Sequence, residues 1–293
     1  KTGVFMVVFY SLNAIIHFPI MQETANPVMI AVFHSVFNII AVLLMLPASE
    51  FLVRLVEKAL PVTDKERAVS ERKRELQMLD PRFITSTSYA IEQCEKATFR
   101  MADYTKEALS TAMGLVLNFN EEGAAKVDQL ERTVDDYEDQ LNSYLSSISG
   151  KTFTAKDSHM FTLLMHCIGD FERISDHALN VMQKAREMDE KGEHFSPRAQ
   201  EELQIFEAAL NDIMERTVRA FCEDNTQIAA TVEPLEEVID GLNMEIKRRH
   251  VKRLRKGKCT VETGMALEDI ITDYERIADH CNNVAVHLSQ RSE

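Results

Sequence analysis

The sequence predicts an all-α chain, a transmembrane helical hairpin followed by a body of two tandem three-helix bundles. Three observations carry this. Two apolar stretches near the front each approach the roughly 20 residues that span a bilayer. Beyond residue 85 the apolar positions recur at helical spacing, with no alternating strand pattern of any length. One helical signature is written twice, Gly169-Asp-Phe-Glu-Arg-Ile-Ser-Asp-His to His177 and Thr272-Asp-Tyr-Glu-Arg-Ile-Ala-Asp-His to His280, 103 residues apart.

Gly3 to Met21 is apolar apart from Ser11, Asn13 and His17, and Pro27 to Leu46 apart from His34, Ser35 and Asn38. Gln22 to Asn26 makes the turn between them, with Pro27 suited to a first helical position. Up to Ser49 the only formal charges are Lys1 and Glu23, so the net charge of −14 belongs to residues 50–293. Arg54, Lys58, Lys65, Arg67, Arg72, Lys73 and Arg74 gather just beyond the second stretch. By the positive-inside tendency this places the body in the cytoplasm and makes the chain a multi-pass protein of the cell membrane. Asn13, His17, His34 and Asn38 suit either hydrogen bonding between the spans or a transport path. The chain begins with Lys, not Met, and reads as a piece of a longer one.

Residues 1–60 are thus the membrane part, 61–85 a charged linker closed by Asp80-Pro81, and 86–293 the body, with repeat 1 at 86–190 and repeat 2 at 195–293. Helices are predicted at 86–119, 121–149, 157–188, 197–222, 226–256 and 261–289. Gly150, Gly192 and Gly257 punctuate them, and Ser196-Pro197 is a cap followed by a first-turn proline. Short connections make each half a three-helix bundle.

The acidic body excludes a nucleic-acid partner, which would need a basic face. Five scattered cysteines without a Cys-x-x-Cys motif indicate neither a disulfide framework nor a zinc ribbon. The basic run from Lys247 to Lys258 reads as a solvated helix end complementing the dipole.

Each signature carries Glu-x-x-x-Asp, in Glu172/Asp176 and Glu275/Asp279, and an upstream segment supplies Glu131/Asp135 and Glu236/Asp240 at an offset of 105. Carboxylates four apart on a helix repel by a few tenths of a kcal/mol. On a helical wheel Glu172 and Asp176 flank the stripe of Phe171, Ile174, Ala178 and Val181, while Glu131 and Asp135 lie nearer the stripe of their own helix. One pair would suit ordinary solvated acids beside Arg132 and Arg173. Four pairs in register favour a shared cation, and all-oxygen ligation suits hard cations, iron or manganese. Asp128, Glu233, Asp170 and Asp273 are second-choice ligands, and His177 and His280 are polar neighbours of the site. There is no nucleophile elbow, no phosphate-cradling glycine loop and no Glu-x-x-His of a catalytic di-iron bundle, so no enzyme is indicated.

The duplicated signature resembles the third helix of PhoU domains, tandem three-helix repeats whose Glu/Asp-x-x-x-Asp motifs bind iron or zinc clusters. Leu79-Asp80-Pro81-Arg82-Phe83, Ala90-Ile91-Glu92-Gln93, His34-Ser35-Val36-Phe37-Asn38 and Leu46-Pro47 resemble the last membrane helices and connector of bacterial sodium-phosphate cotransporters bearing a C-terminal PhoU-like domain. The resemblance implies an inner-membrane location and a PhoU-like regulatory body of a sodium:phosphate symporter. It implies a cluster of iron, zinc or manganese on Glu131, Asp135, Glu172, Asp176, Glu236, Asp240, Glu275 and Asp279, and Na+ as coupling ion of the full protein. The Gln-Ser-Ser motifs of the transport core are missing, so the substrate-binding residues are unknown. A homo-oligomer is left open. The competing reading is a membrane-tethered di-metal carboxylate oxidoreductase. A receptor-like signalling rod is disfavoured, because the repeat of 103 to 105 residues is no heptad.

Overall fold

In the computed structural model, residues 79–290 are described, together with isolated positions between 10 and 42. The chain divides into two compact units, 1–71 and 72–293, of which the second holds the helical body. Among the described residues no helix is long and apolar enough to cross a membrane. This overturns the placement as a multi-pass inner-membrane protein. The stretches read as spans, 3–21 and 27–46, fall outside the described residues apart from those isolated positions.

Six long helices follow one another: α1 Thr87–Leu117, α2 Glu121–Ile148, α3 Ala155–Glu190, α4 Pro197–Cys222, α5 Glu233–Arg255 and α6 Val261–Ser289. Their starts are set by side chains that accept otherwise unpaired amide hydrogens. Asn120 accepts from Gly123 N at α2, Thr154 from Asp157 N at α3, Ser196 from Ala199 N at α4 and Thr260 from Thr263 N at α6. Their stops use the left-handed freedom of glycine where the sequence placed it: Gly192 has φ 65° after α3 and Gly257 has φ 62° after α5. The amide that follows each glycine reaches back to an orphan carbonyl, Glu193 N to Met188 O and Lys258 N to Arg253 O.

The predicted helix 226–256 is two pieces, a single turn at Thr226–Ala229 and then α5. Pro234 is the reason. It has no N–H to offer the carbonyl of Ala230, so the helix restarts with the proline in its first turn, where that loss costs nothing.

α1, α2 and α3 pack on one another, as do α4, α5 and α6, and the third helices of the two bundles pack together. Paired positions along that seam run in opposite directions, 166 with 287, 170 with 280, 177 with 273 and 184 with 269, so α3 and α6 are antiparallel. The buried side chains of both bundles therefore form one continuous core. Phe221 at the end of α4 sits edge-on to Phe171 of α3 (5.3 Å between centroids) and Phe99 of α1 (5.4 Å), carrying repeat 2 into the core of repeat 1.

One half-buried acid bonded to the core stands apart. Glu207 on α4 accepts a hydrogen bond from the fully buried Tyr274 hydroxyl at 3.0 Å, and burial pushes its carboxyl up to about 7. The unfolded carboxyl titrates near 4.3. Between those values the folded chain holds the extra proton, so stability falls as pH rises from about 4.3 to about 7. Glu207→Gln is expected to flatten that slope in urea titrations across this window, and an unchanged slope would assign it elsewhere.

Candidate metal centres

Two groups of three carboxylates are brought together, Glu131, Asp135 and Asp176 in repeat 1, and Glu236, Asp240 and Asp279 in repeat 2. Within each group one oxygen per residue lies within 4.8 Å of the others. The first two members of each come from α2 or α5, one turn apart on one face, and the third from α3 or α6 packed alongside. All six are half-buried at the edge of the apolar stripes.

Glu172 and Glu275, the other two predicted ligands, stand beside the triads. Glu172 lies one turn before Asp176 with Arg173 Nε at 3.5 Å. Glu275 accepts from Asn243 Nδ2 and has Lys247 Nζ at 3.9 Å. Of the second-choice ligands, Asp128 pairs with Arg132 at 2.8 Å, and Asp170 and Asp273 face the seam between repeats.

Crowding of like charge with partial burial raises the affinity of these acids for protons. Glu131 is pushed up to about 7 by burial and then by Asp135, Asp176 and Asp128. Burial, then Asp176, raises Asp135; burial, then Asp176, takes Glu172 to about 7. In repeat 2 burial, followed by Asp240 and Asp279, raises Glu236. Asp240 Oδ1 is buried with no hydrogen-bond partner in the protein. An unpaired carboxylate oxygen is costly to bury, and a cation is the simplest group that satisfies it. The donor set, all oxygen and all anionic, fits a hard or borderline divalent or trivalent ion.

The two centres are not copies in their surroundings. Glu138 borders the first, raised by burial and by Asp139 and Asp135, with Asn142 donating to it at 3.1 Å. At the 105-residue offset repeat 2 has Asn243 in its place and Lys247 in place of Asn142. Repeat 1 is thus the more negative site.

His177 and His280 do more than border the site. His177 Nδ1 lies 2.8 Å from Asp273 Oδ1, and His280 Nδ1 lies 2.9 Å from Asp170 Oδ1. Each histidine follows a triad aspartate of its own repeat and is bonded to an aspartate of the other. The two rings lie 5.8 Å apart at the crossing. A signal for this exists in the sequence: Asp and His recur seven residues apart in both copies, a spacing that returns to the same helix face.

The PhoU domain family matches residues 98–185 and 207–287, one stretch in each repeat. The chain is 25% identical over 186 residues to the phosphate-specific transport system accessory protein PhoU homolog 1 of Thermotoga maritima, covering 63% of this chain and 79% of that one. With the PhoU homolog of Pseudomonas aeruginosa it shares 22% over 160 residues, 55% of this chain and 63% of the relative's length. The fold is similar to the crystal structure of PhoU from P. aeruginosa, with a TM-score of 0.65 at 19% identity, over 69% of this chain and 97% of that one. It is also similar to the phosphate transport system regulatory protein PhoU from Streptococcus pneumoniae, with a TM-score of 0.63 at 16% identity, over 71% and 98%. A duplicated three-helix unit, matched in both halves, places the chain in the PhoU domain family.

Proposed function

We propose that the six-helix body is a regulatory, PhoU-type accessory protein of phosphate uptake, and that its two carboxylate triads hold iron, zinc or manganese. The observation that carries the proposal is the pair of triads, Glu131/Asp135/Asp176 and Glu236/Asp240/Asp279, built at matching places of both repeats from residues the duplicated motif predicts. Glu172 and Glu275 would extend each triad toward a multinuclear cluster. A bound ion supplies positive charge that offsets carboxylate repulsion and displaces the protons these groups hold near neutral pH. The protein's part is to fix the helices so that oxygens from two of them converge, which turns metal or phosphate supply into the rigidity of a face that a transport component reads.

The names of the relatives, accessory and regulatory proteins of phosphate transport, support this role. None of these relatives is named as a sodium symporter, and the sodium-coupled part of the expectation draws on residues 1–60 and on the connector stretches 79–83 and 90–93. An oxygen-activating di-metal site needs histidine ligands and open coordination. The triads are carboxylate throughout, and the neighbouring His177 and His280 are engaged across the seam.

The test is expression of the full chain in a bacterium lacking its own PhoU-type protein, with metal content of the purified protein measured in parallel. Restored shut-down of phosphate-starvation genes at high phosphate, together with retained iron, zinc or manganese, is expected. A metal-free protein that still restores regulation would remove the metal from the proposal; failure to restore regulation would remove the role.

A further inference from the structure

The basic run at the end of α5 is not a simple solvated helix end. It forms one wall of a groove of about 800 Å³, whose other wall is the start of α4. Seven cations line it against three acids, Glu201, Glu202 and Glu245, in a chain whose net charge is −14.

Three of the cations are committed. Arg248 forks onto Glu245 and Arg249 Nε donates to it at 2.7 Å, together holding its carboxyl down to about 2, and Arg253 Nη1 pairs with Glu202 at 2.7 Å. The other four, Arg198, Lys252, Lys256 and Lys258, are exposed and have no acidic partner among the described residues. Complementing the dipole explains a cation in the last turn of α5, as Lys252 is. It does not explain Arg198, in the first turn of α4, where the dipole disfavours positive charge. Arg253 adds a second sign. Its side chain is 11% exposed, and its Nη2 is buried with no partner in the protein, on the wall between this groove and a smaller cavity beside His250 and Thr260.

We infer that this groove binds an oligophosphate group, a linear phosphate chain free or carried on a nucleotide. Its volume is that of a small-molecule site. The uncommitted guanidinium of Arg198 and the mobile ammonium groups of Lys252, Lys256 and Lys258 suit successive phosphates, and the α4 N-terminus adds aligned partial positive charge. A single orthophosphate would engage only part of the unpaired charge. The inference is independent of the metal centres, which lie on other stretches of α5 and on α2, α3 and α6.

The test is calorimetric titration of the full chain, freed of metal by chelation, with sodium tripolyphosphate, ATP and orthophosphate at about 0.15 M salt. Saturable binding of one tripolyphosphate or ATP per chain, tighter than orthophosphate, is expected. Arg198→Gln with Lys252→Gln and Lys258→Gln should weaken it by at least about tenfold, since each removes a charge-assisted bond. These side chains are exposed, so folding should be unaffected, as circular dichroism will show. Lys151→Gln with Lys156→Gln, remote in sequence, and Asp176→Asn with Asp279→Asn should leave binding unchanged. ATP binding more tightly than tripolyphosphate assigns the source as a nucleotide, and the reverse assigns it as the free chain. No saturable binding, or binding that survives the triple substitution, would overturn the inference.

Discussion

Replacing Asp176 with Asn is expected to abolish metal binding at the first centre, and Asp279→Asn at the second, each leaving the other filled. Loss of a residue that only orients a ligand costs about 10- to 100-fold in metal affinity. Loss of a ligand should therefore cost at least about 100-fold, readable by competition with a chelating dye. The same substitutions should raise the melting temperature of the metal-free protein, because each removes one of three crowded charges. A gain without metal and a loss with metal separates ligation from ordinary packing, which would move both in one direction.

The first centre should bind more tightly, since Glu138 borders it where the second has Asn243 and a lysine near Glu275. Its affinity should also fall as pH drops below about 7, where protons hold Glu131 and Glu172 against the ion. Equal affinities at both centres, or none measurable at either, would contradict the assignment.

Phe221→Ala is expected to cost about 3 to 5 kcal/mol, the range for emptying a buried aromatic site. Phe221 is 3% exposed and wedged between Phe99 and Phe171 of the other repeat, so the surrounding helices cannot collapse without breaking their own contacts. That is a large fraction of the about 5 to 15 kcal/mol that holds a domain folded. Val261→Ala, at a position 57% exposed, should change stability by less than about 0.5 kcal/mol. Urea unfolding measures both. A loss at Phe221 below about 1 kcal/mol would mean that the two repeats do not share their core. The six-helix body is expected to unfold in a single transition, and the variant should broaden it as the repeats lose their common anchor.

Much of the fold is legible in the sequence because it is local. The cap at Ser196, the glycines after α3 and α5, and the apolar stripes are short-range chemistry, and helix limits follow from them. The break before α5 is local too, yet the continuous helix predicted over 226–256 runs straight through Pro234. The triads are half legible. A wheel shows which acids share a face, so Glu131 with Asp135 and Glu236 with Asp240 can be paired from spacing. Which acid of the third helix meets them depends on how far that helix slides along its neighbour, and packing chose Asp176 and Asp279 over Glu172 and Glu275. The antiparallel seam depends on shape complementarity between helices about 100 residues apart in sequence. No window of sequence contains it.

The crossed bonds at that seam have a consequence for how the chain is put together. His177 meets Asp273 while His280 meets Asp170, so exchanging the halves returns the same pattern. Such self-matching is the mark of a two-fold partnership between identical subunits, here internal to one polypeptide. A solitary half would leave an imidazole and a carboxylate facing water and find its complement in another solitary half. Sequence drift in one half is thus restrained by its twin, which must accept every change made at the shared axis.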